Sequence, residues 1–289
     1  MSEGSFSWDQ DQWNTVRQAV HDQALRARVA ASFLPLFGPL ASSDQTVPTN
    51  RLEDSQSLAV NDYDVLRLAT VSVNLRLRNA QVSDPDLSSA LIMFRRAASV
   101  LARVEDAIIF TGQSAADAGP NGGLGQTNVE FRVSGGGAYK GLMGYDANTV
   151  TGIDAASGPS IFGVVVRAVT KLEDAGYYGP YALVLGDDLF EAVNKPIAAS
   201  MVLPRDSIMP YLNGPLLRSS TIDPKQGVLV STLSDPVEIV VGSDIAVRYL
   251  QTTDDAKHVF RVSQRFVLRV KEPKAIALLK TAQGTPGVR

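Results

Sequence analysis

Chemistry in this chain would have to come from two histidines, some adjacent carboxylates and several glycine-rich stretches, and none of these falls into a reactive spacing. His21 and His258 each lack a second histidine at metal-ligand distance along the chain, so both are expected to be structural or surface residues. Gly112-Gln113-Ser114-Ala115-Ala116 comes nearest to a nucleophile elbow, but it lacks the closing glycine and follows a helical pattern where a strand is required. The glycine runs contain neither the Lys-Ser/Thr ending of a phosphate loop nor a complete GxGxxG between strand and helix. Asp84-Pro85-Asp86-Leu87-Ser88 begins like a calcium loop, yet Ser89 and Arg95 stand where glycine and glutamate belong, so it reads as a helix cap. Glu173-Asp174 and Asp187-Asp188 lie at predicted helix ends, where capping and the helix dipole explain them better than acid/base catalysis. With no cysteine, thiolate catalysis, disulfides and cysteine metal sites are excluded together. The expectation is no catalytic residue, no resident metal and no cofactor, so an enzyme is disfavoured.

The elements that any site would stand on are clearer. Leu87 to Thr111 reads as one helix of about seven turns, roughly 37 Å long. Asp84, Pro85 and Asp86 suit its start and Gly112 its end. One stripe carries Leu87, Leu91, Phe94, Ala98, Leu101 and Ile108; a second carries Ala90, Met93, Ala97, Val100, Val104 and Ala107. Only Ser88, Arg95, Arg96, Ser99, Arg103 and Asp106 form a wet strip, so this spine needs packing partners on two sides. Glu105 interrupts the first stripe and is expected to be paired or near an edge.

Ahead of the spine, Asp9 to Ala31 reads as an amphipathic helix with Trp13, Val16, Val20, Ala24 and Ala27 along one side. A polar loop, 41–50, follows. Leu58 to Val60 and Val65 to Arg78 then suggest a long hairpin, in which Val71, Val73, Leu75 and Leu77 alternate with polar residues as in a strand buried on one face. A two-stranded ribbon is marginal alone, so a neighbouring subunit is the expected cover. After Gly112, glycine-rich stretches 119–126 and 134–144 flank the alternating Val129, Phe131 and Val133. A helix at 160–175, a buried strand at 181–185 and short helices at 188–194 and 205–212 follow. The remainder predicts antiparallel strands at 228–232, 237–241, 245–251, 258–262 and 265–270, separated by Asp235-Pro236, Gly242-Ser243 and Asp254-Asp255. Mixed elements in this order predict an α+β class.

The chain has 289 residues, 45% hydrophobic and 20% charged, which suffices for one large domain or two to three smaller ones. Its net charge of -3 provides no overall basic field. Arg76, Arg78, Arg95, Arg96 and Arg103 are local positive spots, read as solvated faces or subunit ion pairs; nucleic acid is not expected as the partner. No signal pattern and no membrane-length apolar run is present, so no membrane partner is expected and the cytoplasm is the default location.

Several stretches together resemble the encapsulin shell proteins (family 1, linocin-like), relatives of tailed-phage major capsid proteins with the Hong Kong 97 fold. They are Trp13 with Phe37-Gly38-Pro39-Leu40, Val47-Pro48-Thr49, Asp84-Pro85-Asp86-Leu87, and Val104-Glu105-Asp106 with Ile109-Phe110-Thr111-Gly112. Further on come Asp174-Ala175-Gly176, Gly179-Pro180-Tyr181-Ala182-Leu183-Val184-Leu185-Gly186, Gly242-Ser243-Asp244-Ile245 and Pro273-Lys274-Ala275. Their order and spacing span most of the chain.

The resemblance implies an N-terminal arm and lumenal helix (1–40) and an extended E-loop (51–79). It further implies a peripheral P-domain of spine helix plus antiparallel sheet (80–112 and 233–289) and an axial A-domain (113–232). It implies a self-assembling icosahedral homo-oligomer that encloses a cargo enzyme, a peroxidase or a ferritin-like protein, bound through a short terminal targeting peptide, with pores for small molecules. By position the cargo-peptide groove would involve Val29, Phe33, Leu36, Ile239 and Val241. Val71, Val73, Leu75 and Leu77 would be the E-loop contact on a neighbour's spine, and the fivefold pore loop would include Lys195, Pro196, Ser200, Met201 and Arg205, with Lys195 and Arg205 as a cationic rim. Where relatives carry a basic pair and a later acid before the Gly-Pro, this chain has Ala31-Ser32 and Leu34-Pro35, and the segment between Leu77 and Asp84 lacks the aromatic position that some relatives use for flavin. No flavin is therefore expected. The short stretch before the first helix argues against a scaffolding segment and so for an encapsulin over a phage capsid packaging nucleic acid. A hydrolase, the third reading, lacks its nucleophile motif.

Overall fold

Asp9 opens α1 (Gln10–Ala27) through a capping box: its carboxylate accepts the Gln12 N–H at 2.8 Å, and the Gln12 side chain accepts the Asp9 N–H at 3.2 Å. The computed structural model describes residues 6–54, 58–114, 129–137, 139–197 and 201–281. The helix stops at Ala27, short of the expected Ala31, because the next amides are taken by a side chain: Val29 N and Ala30 N donate to the Asp106 carboxylate. In chain order there follow β1 (Leu36–Phe37), β2 (Thr46–Pro48), β3 (Arg51–Asp54), β4 (Leu58–Asn61), β5 (Val65–Arg67), β6 (Ala69–Arg78), α2 (Asn79–Val82), α3 (Ser88–Thr111), β7 (Phe131–Gly135) and β8 (Val150–Ile153). The second half adds α4 (Gly158–Asp174), β9 (Tyr181–Leu185), α5 (Asp187–Val193), α6 (Pro204–Leu212), β10 (Leu216–Arg218), β11 (Gln226–Ser231), β12 (Val237–Thr252), β13 (Lys257–Val270) and β14 (Ile276–Thr281). The glycine-rich stretch 119–126 lies outside the described residues.

The spine is α3. Asp84 caps it from a distance, its carboxylate accepting the Ser88 N–H at 3.0 Å, and Gly112 ends it at a φ of +97°. Both apolar stripes face protein, but the second partner is not a neighbour. One flank meets β6 and β13, and the other meets α1 of the same chain through Trp13, Val16 and Val20. The predicted wet strip survives only in the first half, since Asp106 is buried. A polar residue at helical spacing looks the same whether it faces water or a buried partner, which is why periodicity misplaced it.

Two five-stranded sheets organise the rest, in the orders β1-β12-β13-β6-β7 and β10-β9-β11-β14-β8. In the first, the expected strands 237–241 and 245–251 are one continuous strand, as are 258–262 and 265–270. Gly242-Ser243 marks a register shift in β12 where a turn was expected. Asp254-Asp255 does turn. The second sheet serves two cores by alternation: Leu183, Leu229, Ala277 and Leu279 face α4, while Val184, Val228, Ile276 and Leu278 face the core shared with α1 and α3. Burial on both faces explains why β9 reads as an unbroken apolar run.

Three expected boundaries shift. β14, unrecognised as a strand in the sequence, pairs with β11 and β8, so segment 233–289 does not belong wholly with the spine. β7 pairs with β6 in the first sheet, although 113–232 was assigned to the other unit. The ribbon is shorter than 51–79: β2 pairs with β5 and β3 with β4, whereas β6 lies inside the first sheet between β13 and β7.

Candidate interaction surfaces

The end of α1 is locked to the spine by buried charge. Arg28 Nε stands 2.7 Å from Glu105 Oε2, both side chains almost fully buried, and the guanidinium also donates to Gln264 Oε1. Glu105 is thus paired, as its position in an apolar stripe required. Burial raises its carboxyl above the ordinary range, with Arg28 opposing. Beside it, the Asp106 carboxylate accepts Val29 N at 2.9 Å and Ala30 N at 2.8 Å, and burial pushes its pKa up to about 7 against those two hydrogen bonds. This clasp presents the segment leading into β1.

The residues expected to form a peptide groove lie on and around that segment. The Phe33 ring stacks on Phe110 with centroids 6.4 Å apart, Leu36 lies opposite Ile239 in the parallel β1–β12 pair, and Ile239 N donates to Pro35 O at 2.9 Å. Val29, Phe33 and Val241 are partly buried against the main core, and Leu36 is 52% exposed. Ile239 has no exposed surface, so it belongs to the core beside Leu36 and cannot line a groove. Phe37, 48% exposed with the Arg269 guanidinium 4.8 Å from its ring centroid, lies beside Val240 and so faces the other side of the sheet, away from Phe33 and Leu36. Arg269 is itself held by buried Glu238. The sequence offered no signal for this contact, because Arg269 arrives from the far end of the chain. β1 is an edge strand, so a short apolar surface and an open sheet edge coincide there.

The four residues expected to contact a neighbour's spine lie elsewhere. Val71, Val73 and Leu77 have no exposed surface and Leu75 only 6%, all within the core that their own α3 covers. Alternation reports that one face is covered, not which chain covers it. Four exposed apolar residues cluster instead on the ribbon, from β4 to β5: Leu58 at 82%, Val60 at 57%, Tyr63 at 90% and Val65 at 58%. At its base Leu52 N donates to Lys271 O at 2.8 Å, and Val47 and Leu68 pack with Val240 and Val267 on the face of the first sheet opposite α3.

The loop after α5 is the third surface. Ile197 N donates to Val202 O at 3.0 Å and Met201 N to Ile197 O at 2.9 Å, and Met201 is 77% exposed. Pro196 and Arg205 are exposed, and Ser200 lies outside the described residues. Lys195 is engaged by Glu191 at 2.7 Å, and this partner lowers the glutamate pKa. The pair is exposed on both sides, so water screens it, and Arg205 is exposed as well. Among the described residues no group of three or more metal-ligating acidic or histidine side chains occurs, and no helix is long and apolar enough to cross a membrane.

Similarity to known proteins falls in line with this geometry. The chain is 27% identical over 297 residues to the Type 1 encapsulin shell protein EncA of Myxococcus xanthus, covering 96% of this chain and 94% of that one. It is 26% identical over 270 residues to the Type 1 encapsulin shell protein of Rhodospirillum rubrum, covering 89% and 86%. Among solved structures, the virus-like particle from Pyrococcus furiosus superposes with a TM-score of 0.70 at 14% identity, covering 93% of this chain and 100% of that one. The capsid of Myoviridae phage XM1 superposes with a TM-score of 0.59 at 14% identity, covering 86% and 90%. The fold is the Hong Kong 97 capsid type. The profile of the Linocin_M18 family, described as encapsulating protein for peroxidase, matches residues 3–130 and 129–267, and the chain belongs to that family.

Proposed function

We propose that the chain is the self-assembling, noncatalytic shell subunit of an encapsulin nanocompartment. The observation that carries this reading is the ribbon between Thr46 and Arg67, two short pairs of strands that expose Leu58, Val60, Tyr63 and Val65. Two-stranded ribbons are marginal in water, and an apolar one needs cover. Each such side chain buried against a neighbouring copy contributes roughly 1.5 to 3 kcal/mol as an upper bound, repeated at every contact of a closed shell. The ribbon, rather than β6, is thus the E-loop of this subunit. The loop from Lys195 to Arg205, with exposed Met201, stands in the position of the fivefold pore.

The partner inside is a cargo enzyme, a peroxidase or a ferritin-like protein, held in the cytoplasm by a short apolar tail. Val29, Phe33, Leu36 and Val241, on and beside the edge strand β1, offer that tail apolar area and, through the open sheet edge, main-chain hydrogen bonds. With Ala31-Ser32 and Leu34-Pro35 in this segment, the tail should bind chiefly through its apolar residues. The second reading is a phage-type capsid subunit, favoured by the capsid fold alone. Particles purified from the native host separate the two. The shell reading expects a second, enzymatic polypeptide and a protein-like absorbance spectrum; particles filled with nucleic acid and free of any second polypeptide would favour the capsid.

A further inference from the structure

The first sheet keeps one face for α1 and α3, and the other face is arginine-rich. Arg248 on β12 lies directly opposite Arg261 on β13 in the antiparallel register. Like charges in that position repel, so the sheet carries a locally unfavourable pair on a face that would tolerate almost any polar residue. Arg132 on β7 lies on the same face, opposite Ser72, and these three arginines border one concavity of about 700 Å³ with Ser72, Ser263 and Leu250. Arg265 also borders it but is spent on the carbonyl oxygens of Ser42 and Asp44, whereas Arg261 is steadied by one bond, its Nε donating to Asn74 Oδ1 at 2.9 Å. Among the described residues lining it the sole acid is Asp244, which stands 4.0 Å from Arg28.

The ribbon has the complementary composition. From Glu53 to Asp64 the sequence contains Glu53, Asp54, Asp62 and Asp64 and neither lysine nor arginine. Asn61 Nδ2 donates to Glu53 Oε1 at 3.0 Å and to Asp64 Oδ2 at 3.2 Å, gathering two carboxylates at one place on the ribbon. The same segment exposes Leu58, Val60 and Tyr63, while the arginine face exposes Leu250. The ribbon base already rests on one end of this face, through Val47 and Leu68 against Val240 and Val267. An element that leaves one end of a face can cover the open remainder of the same face on the next copy, a head-to-tail contact of the kind that builds rings and shells.

We infer that the arginine face of one copy, through Arg132, Arg248 and Arg261, receives the acidic ribbon of a second copy through Glu53, Asp62 and Asp64. This rests on the shell reading and makes the contact chiefly ionic at its rim, with paired carboxylates meeting forked guanidinium groups. Salt should therefore weaken it, since exposed charges are screened beyond about 8 Å at physiological ionic strength.

A charge swap tests the inference. Arg248→Glu with Arg261→Glu reverses the face, Asp62→Lys with Asp64→Lys reverses the ribbon, and a third variant combines all four changes. Size-exclusion chromatography with light scattering reads the yield of particles at low and high salt, and circular dichroism checks that each variant is folded. Each reversed variant should lose about tenfold or more of its particles at low salt, and the combined variant should recover them. If a reversed pair fails to fold, Arg248→Gln with Arg261→Gln is read instead, with a smaller loss of particles expected. Normal assembly of either reversed variant, or no recovery in the combined one, would overturn the inference while leaving the shell reading intact. A parent chain that forms no particles at any salt would overturn the shell reading first. A face variant that assembles normally but loses retention on immobilised heparin would overturn the inference and assign the face to a soluble polyanion.

Discussion

Asp106 shows most sharply what a single residue does here. In the sequence it belongs to the wet strip of the spine; in the structure it is buried and holds the amides of Val29 and Ala30, so that it ends α1 and launches β1. Nothing local marks it, because its partners lie some seventy-six residues earlier in the chain. Glu105 was legible by contrast, since a carboxylate in an apolar stripe demands a partner, although Arg28 as that partner was not. Burial raises the Asp106 pKa from 3.8 to about 7, so the fold favours the protonated form. Its contribution to stability is therefore complete below about pH 4 and is lost as pH rises through about 7, an effect on the order of a few kcal/mol. Glu105, also raised by burial, slopes in the same direction. Asp106→Asn keeps an acceptor for both amides and never ionises. Its thermal midpoint should vary less than the parent's between about pH 4 and 7 and should exceed the parent's at about pH 8. Equal pH profiles for the two proteins would show that Asp106 does not titrate in this range.

At the scale of elements, the long helix, α4, β9 and most of the C-terminal strands were legible because each carries a strong period and a chemical stop. What escaped was identity of partner. β6 alternates cleanly, yet the same alternation fits a neighbour's spine or its own, and only the sheet order decides. β12 hides a bulge where Gly242-Ser243 suggests a turn, and β14 follows a Pro273–Ala275 turn without an alternating signal because both of its faces are buried. The helix stops make a graded prediction. Gly112 and Gly176 both have positive φ, but a Cβ at Gly112 would come within 2.3 Å of the Tyr139 carbonyl oxygen, while at Gly176 it would meet open space. Gly176→Ala should cost about 1 kcal/mol from backbone strain alone. Gly112→Ala should cost about 2 kcal/mol or more, because the backbone at Tyr139 must also move. Unfolding midpoints measured side by side check the order, and equal losses would mean that the Gly112 turn relaxes freely.

For the whole molecule, two sheets share one core through Val184, Val228, Ile276 and Leu278, so the spine unit and the second sheet are built around common side chains. The class of fold was readable because nine short motifs kept the order and spacing of a known family over most of the chain. Of the residues expected around a peptide groove, Val29, Phe33, Leu36 and Val241 keep exposed or partly exposed surface near β1 while Ile239 is buried, which periodicity could not distinguish. A subunit of this shape exposes an apolar ribbon and a sheet face with paired arginines, and on the proposed reading copies of itself cover both. Sedimentation of the purified full chain, with negative-stain imaging of the same sample, tests that claim most directly. The account predicts closed hollow particles of uniform diameter, containing many copies, at micromolar concentration and moderate salt. A monomer or small oligomer at every concentration and salt would contradict it.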